Sequence, residues 1–300
     1  MGDDLPAVDV GSNRKVIKLV VGALHTCGIL DDQSLKCWGY GANHRLGFLP
    51  NVYGDNNGNA GDSPNEMGNY LPSVDFGSRP VLDADAGAIS TCAIIEDPTD
   101  GRQVTCFGFN FEGVLGRGIT DVDSSAGGVY MPVNLGTGLY PVQVAIGNDH
   151  TCTLLSSGAV KCWGRSQFGQ LGIGTTLSTG NGPNDMGDNL PVVNLGTDQG
   201  APLKSIYIGA GAYHTCAILE TGGVKCWGYN PQGQAQPDLL PDQAVGDALN
   251  ELGDNLPTID LGPGRTAVAV APGDGHTCAR LDNSAVHCWG NTQDFASFDV

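Results

Sequence analysis

The chain has 300 residues, a formal net charge of −18 and only 15% charged residues. Such an acidic surface repels phosphate backbones and argues against nucleic acid as a partner; no run of about 18 apolar residues offers a bilayer span. Length alone points to about two domains, but phrases recurring in phase override that prior, because stacked repeats share one continuous core.

Residues 5–11 (L-P-A-V-D-V-G) and 16–21 (V-I-K-L-V-V) open the chain as two short strands, with Pro6 at a strand start where no central ladder bond is lost. A hairpin follows, with H-T-C-G-I-L-D-D-Q-S-L-K-C-W-G at 25–39, then Ala42-Asn43-His44-Arg45-Leu46-Gly47. Residues 50–66 are rich in Gly, Asp and Asn without hydrophobic period and read as irregular surface. The series then starts again. The L-P phrase returns at 71–77, 131–136 (shortened to M-P-V-N-L-G), 190–196 and 256–262. Each copy leads into a β-rich run such as 142–146 or 205–208, and then into a hairpin. The hairpin at 90–108 is divergent, its longer loop marked by Pro98 and Asp100-Gly101. Those at 150–164, 214–228 and 276–290 keep H-T-C and C-W-G. The phrase after the hairpin is Phe111–Gly116 in the second copy and Ser166–Gly172 in the third; it degrades at Pro231–Ala235 and runs out after Asn291-Thr292-Gln293.

The copy at 147–164 is clearest. Direct pairing of Cys152 with Cys162 leaves Ser156-Ser157-Gly158 as a three-residue loop, and Gly158 supplies its left-handed end. Directly opposite residues of an antiparallel pair come within disulfide range. The expected bonds are Cys27–Cys37, Cys92–Cys106, Cys152–Cys162, Cys216–Cys226 and Cys278–Cys288, which use all ten cysteines. Structural zinc favours tighter spacing such as C-x2-C, so the metal alternative is the weaker one. Cysteines paired in every repeat point to an oxidising, extracellular or cell-surface location.

The unit is therefore an L-P strand, a V-x-I strand, the hairpin, the G-Q-L-G segment and a variable loop. Its copies fall at about 1–66, 67–126, 127–185, 186–251 and 252–300, in one domain over 1–300. Four short strands at this period read as propeller blades, an all-β fold. The chain opens with an L-P strand lacking a preceding hairpin, and the last hairpin lacks a following L-P strand. Pairing residues 5–11 with the last blade would close a ring of five and leave no exposed edge. Because Met1–Pro6 repeats the pattern of Met186–Pro191, the segment is expected to derive from a longer precursor or a trimmed mature form.

The phrases G-x-x-H-T-C-A-I-L-x-x-G-x-V-K-C-W-G and G-Q-L-G-x-G resemble the regulator of chromosome condensation repeat family, best at 147–174 and over nearly the whole chain. The resemblance implies a β-propeller. Familiar members have seven blades, so this is either a five-bladed variant or a segment that leaves two blades outside; the closing logic favours five. The family's eponym is a nuclear nucleotide-exchange factor, and no positions here match its functional loops. Another member is a secreted inhibitor of bacterial β-lactamases. Fold alone assigns neither task.

His25, His150, His214 and His276 share one repeated position. A metal ring would be incomplete, because Ser90 fills the place in the second copy, so these rings are expected to satisfy backbone groups at a turn. Trp38, Phe107, Trp163, Trp227 and Trp289 read as packing between blades rather than as an aromatic cage. Asp55, Asn57, Asn59 and Asp62 place oxygen donors at near-alternating positions. They are weak candidates for calcium, the only cofactor considered, because the bidentate Glu of a hand-type loop is missing. No G-x-S-x-G, H-E-x-x-H or P-loop occurs, and no N-x-S/T sequon. The reading is a non-catalytic extracellular binding or structural module of a surface, appendage or matrix. It engages a protein partner, or itself, through the acidic loops 50–70, 95–102, 117–130, 174–189 and 233–252. A secreted enzyme inhibitor is the alternative, to be marked by exposed aromatics such as Tyr53, Tyr70, Tyr130 and Phe111. A hydrolase with an axial acidic site is the third, to be marked by two close carboxylates, one with a raised pKa.

Overall fold

The computed structural model describes residues 6–48, 58–119, 131–239 and 244–291. Among them five antiparallel sheets follow one another. The first holds β1 (Val16–Val21), β2 (His25–Leu30) and β3 (Leu35–Gly39). The second holds β4 (Val81–Ala86), β5 (Ser90–Asp97) and β6 (Gly101–Gly108). The third holds β7 (Pro141–Ile146), β8 (His150–Leu155) and β9 (Val160–Gly164). A two-residue ribbon, β10 (Thr197–Asp198) with β11 (Ala201–Pro202), precedes the fourth sheet. That sheet holds β12 (Ser205–Ala210), β13 (His214–Leu219), β14 (Val224–Tyr229) and β15 (Ala244–Val245). The fifth holds β16 (Ala267–Pro272), β17 (His276–Leu281) and β18 (Val286–Gly290).

Every hairpin sets its two cysteines directly opposite each other, and the structure joins all ten in five bonds with Cα–Cα distances of 4.0–4.1 Å. The closest positions of an antiparallel ladder are those that exchange no hydrogen bonds, and the cysteines occupy them. Gly158 takes φ +83° at the hairpin turn, as its place in the loop requires.

The expected fourth strand is replaced by something slighter. Each of the four later L-P phrases docks on the third strand of the preceding sheet by a single backbone bond: Val74 N–H to Leu35 O, Val133 N–H to Val104 O, Val193 N–H to Val160 O and Ile259 N–H to Val224 O. Prolines and glycines flank that one contact, so the ladder cannot propagate. A lysine reinforces the phrase. Lys161 Nζ donates to Leu135 O and Gly187 O, and Lys225 and Lys36 repeat the pattern. Residues 6–11 carry no strand, and among the described residues no backbone pair joins them to β18.

The core lies between sheets rather than within them. Four apolar clusters occupy the four joints between successive sheets. In the joint of sheets 3 and 4, for example, Val160 and Cys162 of one pack against Val193 and Trp227 of the next. A sheet buried on both faces needs a neighbour on each side.

Candidate binding face

A hydrogen-bond chain repeated at the joints fixes one end of the sheets. His150 Nε2 lies 2.9 Å from Thr215 Oγ1 of the following sheet, and that hydroxyl donates to Gln170 O at 3.0 Å. Since the threonine proton is committed, the histidine must carry its proton on Nε2 and donate. Trp227 Nε1 donates to the same carbonyl at 3.0 Å. His214, Thr277, Gln234 and Trp289 repeat the arrangement at the next joint. His25 and Thr91 repeat its first half with Arg45 O. The histidines thus bond a neighbouring sheet's hydroxyl, not the backbone of a turn as the sequence led us to expect. Burial holds them neutral, with pKa values lowered to about 4 for His25 and about 3 for His150 and His214. They stand in separate joints, and no group of three or more potential metal ligands occurs among the described residues.

On this framework the half-buried positions at the edge vary. The glycine of each C-W-G has positive φ, and a Cβ on Gly228 would lie 2.5 Å from Tyr213 O. The next residue then bonds back across the turn: Tyr229 N–H to Tyr213 O, Arg165 N–H to Asp149 O, Phe109 N–H to Ile89 O. These pairs place a row of aromatic and cationic side chains on one face. Phe168 packs on Tyr229 at 4.5 Å between centroids and edge-on to Tyr213 at 5.8 Å. Phe109 stacks on Phe111, and the Arg165 guanidinium lies 5.7 Å from the Phe111 ring while pairing with Asp149. Arg45 lies over Tyr40 at 4.9 Å. A cavity of about 610 Å³ opens among Phe168, Tyr213, Tyr229, Gln232 and Asp274. Aromatic rings beside arginine are the residue types that dominate protein interfaces.

The expected loop residues fare differently. Asp55, Asn57, Tyr53 and Tyr130 lie outside the described residues. Asn59 donates to Asp62 at 2.8 Å, and the adjoining turn is held by Glu66, whose Oε2 accepts from Gly61, Asp62 and Ser63 N–H. Asp185 and Glu251 do the same in later loops, a repeated anchor that the sequence analysis missed although N-E-M-G, N-D-M-G and N-E-L-G display it. Tyr70 is exposed but stands apart from the aromatic cluster that Phe111 joins. Two acids do stand two residues apart on one strand. Asp83 and Asp85 lie on β4, burial raises Asp85 to about 6, and Lys18 pairs with Asp83. Both acids accept backbone N–H groups of β7, from Val144 and Ile146, so they bind sheet 2 to sheet 3.

Models of the regulator of chromosome condensation (RCC1) repeat match residues 16–45, 142–170, 206–234 and 157–218. The chain carries RCC1 repeats over these stretches. The ultraviolet-B receptor UVR8 of Arabidopsis thaliana is 27% identical over 97% of this chain, and protein pim1 of Schizosaccharomyces pombe 28% over 92%. The chain spans about half the length of these curated relatives, 57% and 47%. Among solved structures, Prp20p of Saccharomyces cerevisiae superposes with a TM-score of 0.66 at 20% identity, covering 94% of this chain and 60% of that one. The ectodomain of the receptor kinase CR4 of Physcomitrella patens gives 0.53 at 18%, covering 96% and 54%. The antiparallel sheets therefore form an all-β fold of the RCC1-like propeller type.

Proposed function

We propose that the chain is an extracellular, non-catalytic scaffold that binds a protein partner through the face built on Phe168, Tyr213 and Tyr229. The observation that carries this reading is the contrast within each blade. The His–Thr–carbonyl chain recurs at three joints, whereas the positions at the edge of the frame change from an exposed Tyr40 to half-buried Phe109, Arg165 and Tyr229. A fixed frame with changing, aromatic-rich tips suits recognition. The solved relative Prp20p is described as binding Gsp1p and histones, which supports a protein as the class of partner. The five disulfides support an oxidising compartment, and the same fold stands in the CR4 ectodomain. Asp83 and Asp85 support no hydrolase, since both hold backbone groups of the adjacent blade.

The test is cross-linking in native medium, followed by binding assays with the recovered partner. A Phe168→Ala/Tyr229→Ala variant should weaken binding at least about 100-fold, as loss of central aromatic anchors does. Tyr70→Ala, on the acidic loop, should leave it unchanged. Loss with Tyr70→Ala alone would move the contact to the loops.

A further inference from the structure

A groove of about 490 Å³ opens where the L-P phrase at 190–196 meets the long loop that follows the fourth sheet. Its apolar lining is Ile173, Pro191, Val192, Leu249 and Leu252. Leu249 is 80% exposed and Val192 50% exposed. Single apolar side chains at a surface are ordinary, but these line one concave site.

The walls are held from beneath. Gly253 N–H bonds Asn194 O, and Lys225 Nζ donates to Leu195 O on one wall and Gly253 O on the other. Asp254 accepts from Thr197 N–H and from the Thr197 hydroxyl, which join the same two segments. On the remaining side Gly174 approaches Ala248, since a Cβ there would lie 3.3 Å from Ala248 O. The groove is therefore formed in the free chain, and the ordering cost of binding falls on the partner.

The joint before this one has the same frame and a different lining. Gly187 N–H bonds Asn134 O and Thr137 N–H bonds Asp188, as Gly253 and Thr197 do here. There Arg117 stands at the position of Ile173 and Pro183 at that of Leu249, with Arg117 Nη2 donating to Cys106 O. The frame thus needs no leucine at 249.

Charge on the walls has one sign. No lysine or arginine occurs from 166 to 203 or from 226 to 264, the two stretches that supply every lining residue, whereas Asp185, Asp188, Glu251 and Asp254 lie in them. Asp254 lines the groove itself. The bonds from the Thr197 backbone and hydroxyl hold its carboxyl below the usual carboxylate range. Such walls repel anionic lipid headgroups and phosphate backbones.

We propose that this groove docks a segment of a partner protein in which a leucine-like side chain is flanked by lysines or arginines. The apolar side chain covers Leu249 and Val192, and the cations meet the acidic walls, whose field also speeds encounter. Among the described residues none lines both this groove and the cavity beside Phe168, so the contact stands apart from the aromatic face.

A fluorescent peptide of alternating leucine and lysine, with one photo-reactive leucine analogue, tests this by anisotropy against the full chain. It should bind, and more weakly as salt is added. Leu249 is exposed in the free chain, so Leu249→Ser leaves the fold intact; it should weaken binding about ten-fold or more, the effect of losing one covered leucine. Pro183→Ser, at the matching place in the previous joint, should change nothing, and neither should Phe168→Ala/Tyr229→Ala. Glutamate in place of the peptide's lysines should abolish binding. Irradiation should place the cross-link at Ile173, Val192 or Leu249. Equal binding by a peptide with serine in place of leucine would reduce the contact to charge attraction and overturn the proposal. Insensitivity to Leu249→Ser would do the same, as would loss through the Phe168/Tyr229 variant, which would move the peptide to the aromatic face. No binding at all, as when another part of the chain or a second copy fills the groove, also refutes it.

Discussion

A single carboxylate, Glu66, Asp185 or Glu251, gathers the turn in three of the long loops. Asp185 Oδ2 accepts from Gly180 N–H at 3.0 Å and Gly182 N–H at 2.6 Å, drawing the turn around a fixed negative charge. Charge-assisted bonds of this kind are about twice as strong as neutral ones. Asp185→Asn keeps the shape but removes the charge, and should cost about 1–2 kcal/mol. Amide exchange at Gly180 and Gly182 checks it: their protection should fall while that of β8 and β9 holds. Residues 174–189 look irregular in the sequence because no hydrophobic period runs through them. The anchor is polar and local, so apolar periodicity is blind to it.

The hairpins were legible element by element, because cysteine spacing, turn residues and the H-T-C and C-W-G phrases all specify one register. Less legible was what the phrases do to their neighbours. Each first strand carries a bulge, at Ile17, Leu82, Val142, Ile206 and Val268, where the register slips by one residue. That slip leaves five apolar side chains exposed, against the simple alternation of a pleat. The L-P phrase looks like a strand because valine alternates with aspartate or asparagine in it, yet only one backbone bond joins it to the third strand of the preceding sheet. The hydrogen-bonding side of the C-W-G tryptophan was also hidden in the sequence, since its acceptor lies about 55 residues earlier, in the preceding blade. Phe107 fills the same place without a donor, so the joint tolerates loss of the bond. Trp227→Phe should therefore fold and lose about 1–2 kcal/mol, one hydrogen bond plus a small void. A shift of the urea midpoint with an unchanged slope would show it. Of the aromatic face only Phe111 was legible: the other residues occupy positions that vary between repeats, and only the folded turns bring Phe168, Tyr213 and Tyr229 together.

Across the whole molecule the buried joints impose a pH dependence. His25, His150 and His214 have folded pKa values lowered to about 4, 3 and 3. A histidine held neutral in the fold takes up a proton only on unfolding. Its contribution is complete above the unfolded value of 6.5 and is lost as pH falls toward the folded value. Asp85 acts with the opposite sign. Its folded pKa is raised to about 6, so the fold holds that proton more tightly than the unfolded chain does. Its contribution is greatest below the unfolded value of 3.8 and disappears as pH rises through 6. Near pH 5 unfolding therefore takes up about three protons at the histidines and releases about one from Asp85. A net uptake of about two protons corresponds to roughly 2.7 kcal/mol of stability lost per pH unit. Asp85→Asn removes the opposing group, and the loss should steepen to roughly 4 kcal/mol per unit. Urea unfolding between pH 6 and 4, with the disulfides intact, measures both slopes. Stability of the unaltered chain that rises by roughly 1.4 kcal/mol per unit as pH falls, the Asp85 contribution alone, would mean that the histidines are already protonated in the fold, and the Nε2–H to threonine geometry would then have to carry a charge in each joint.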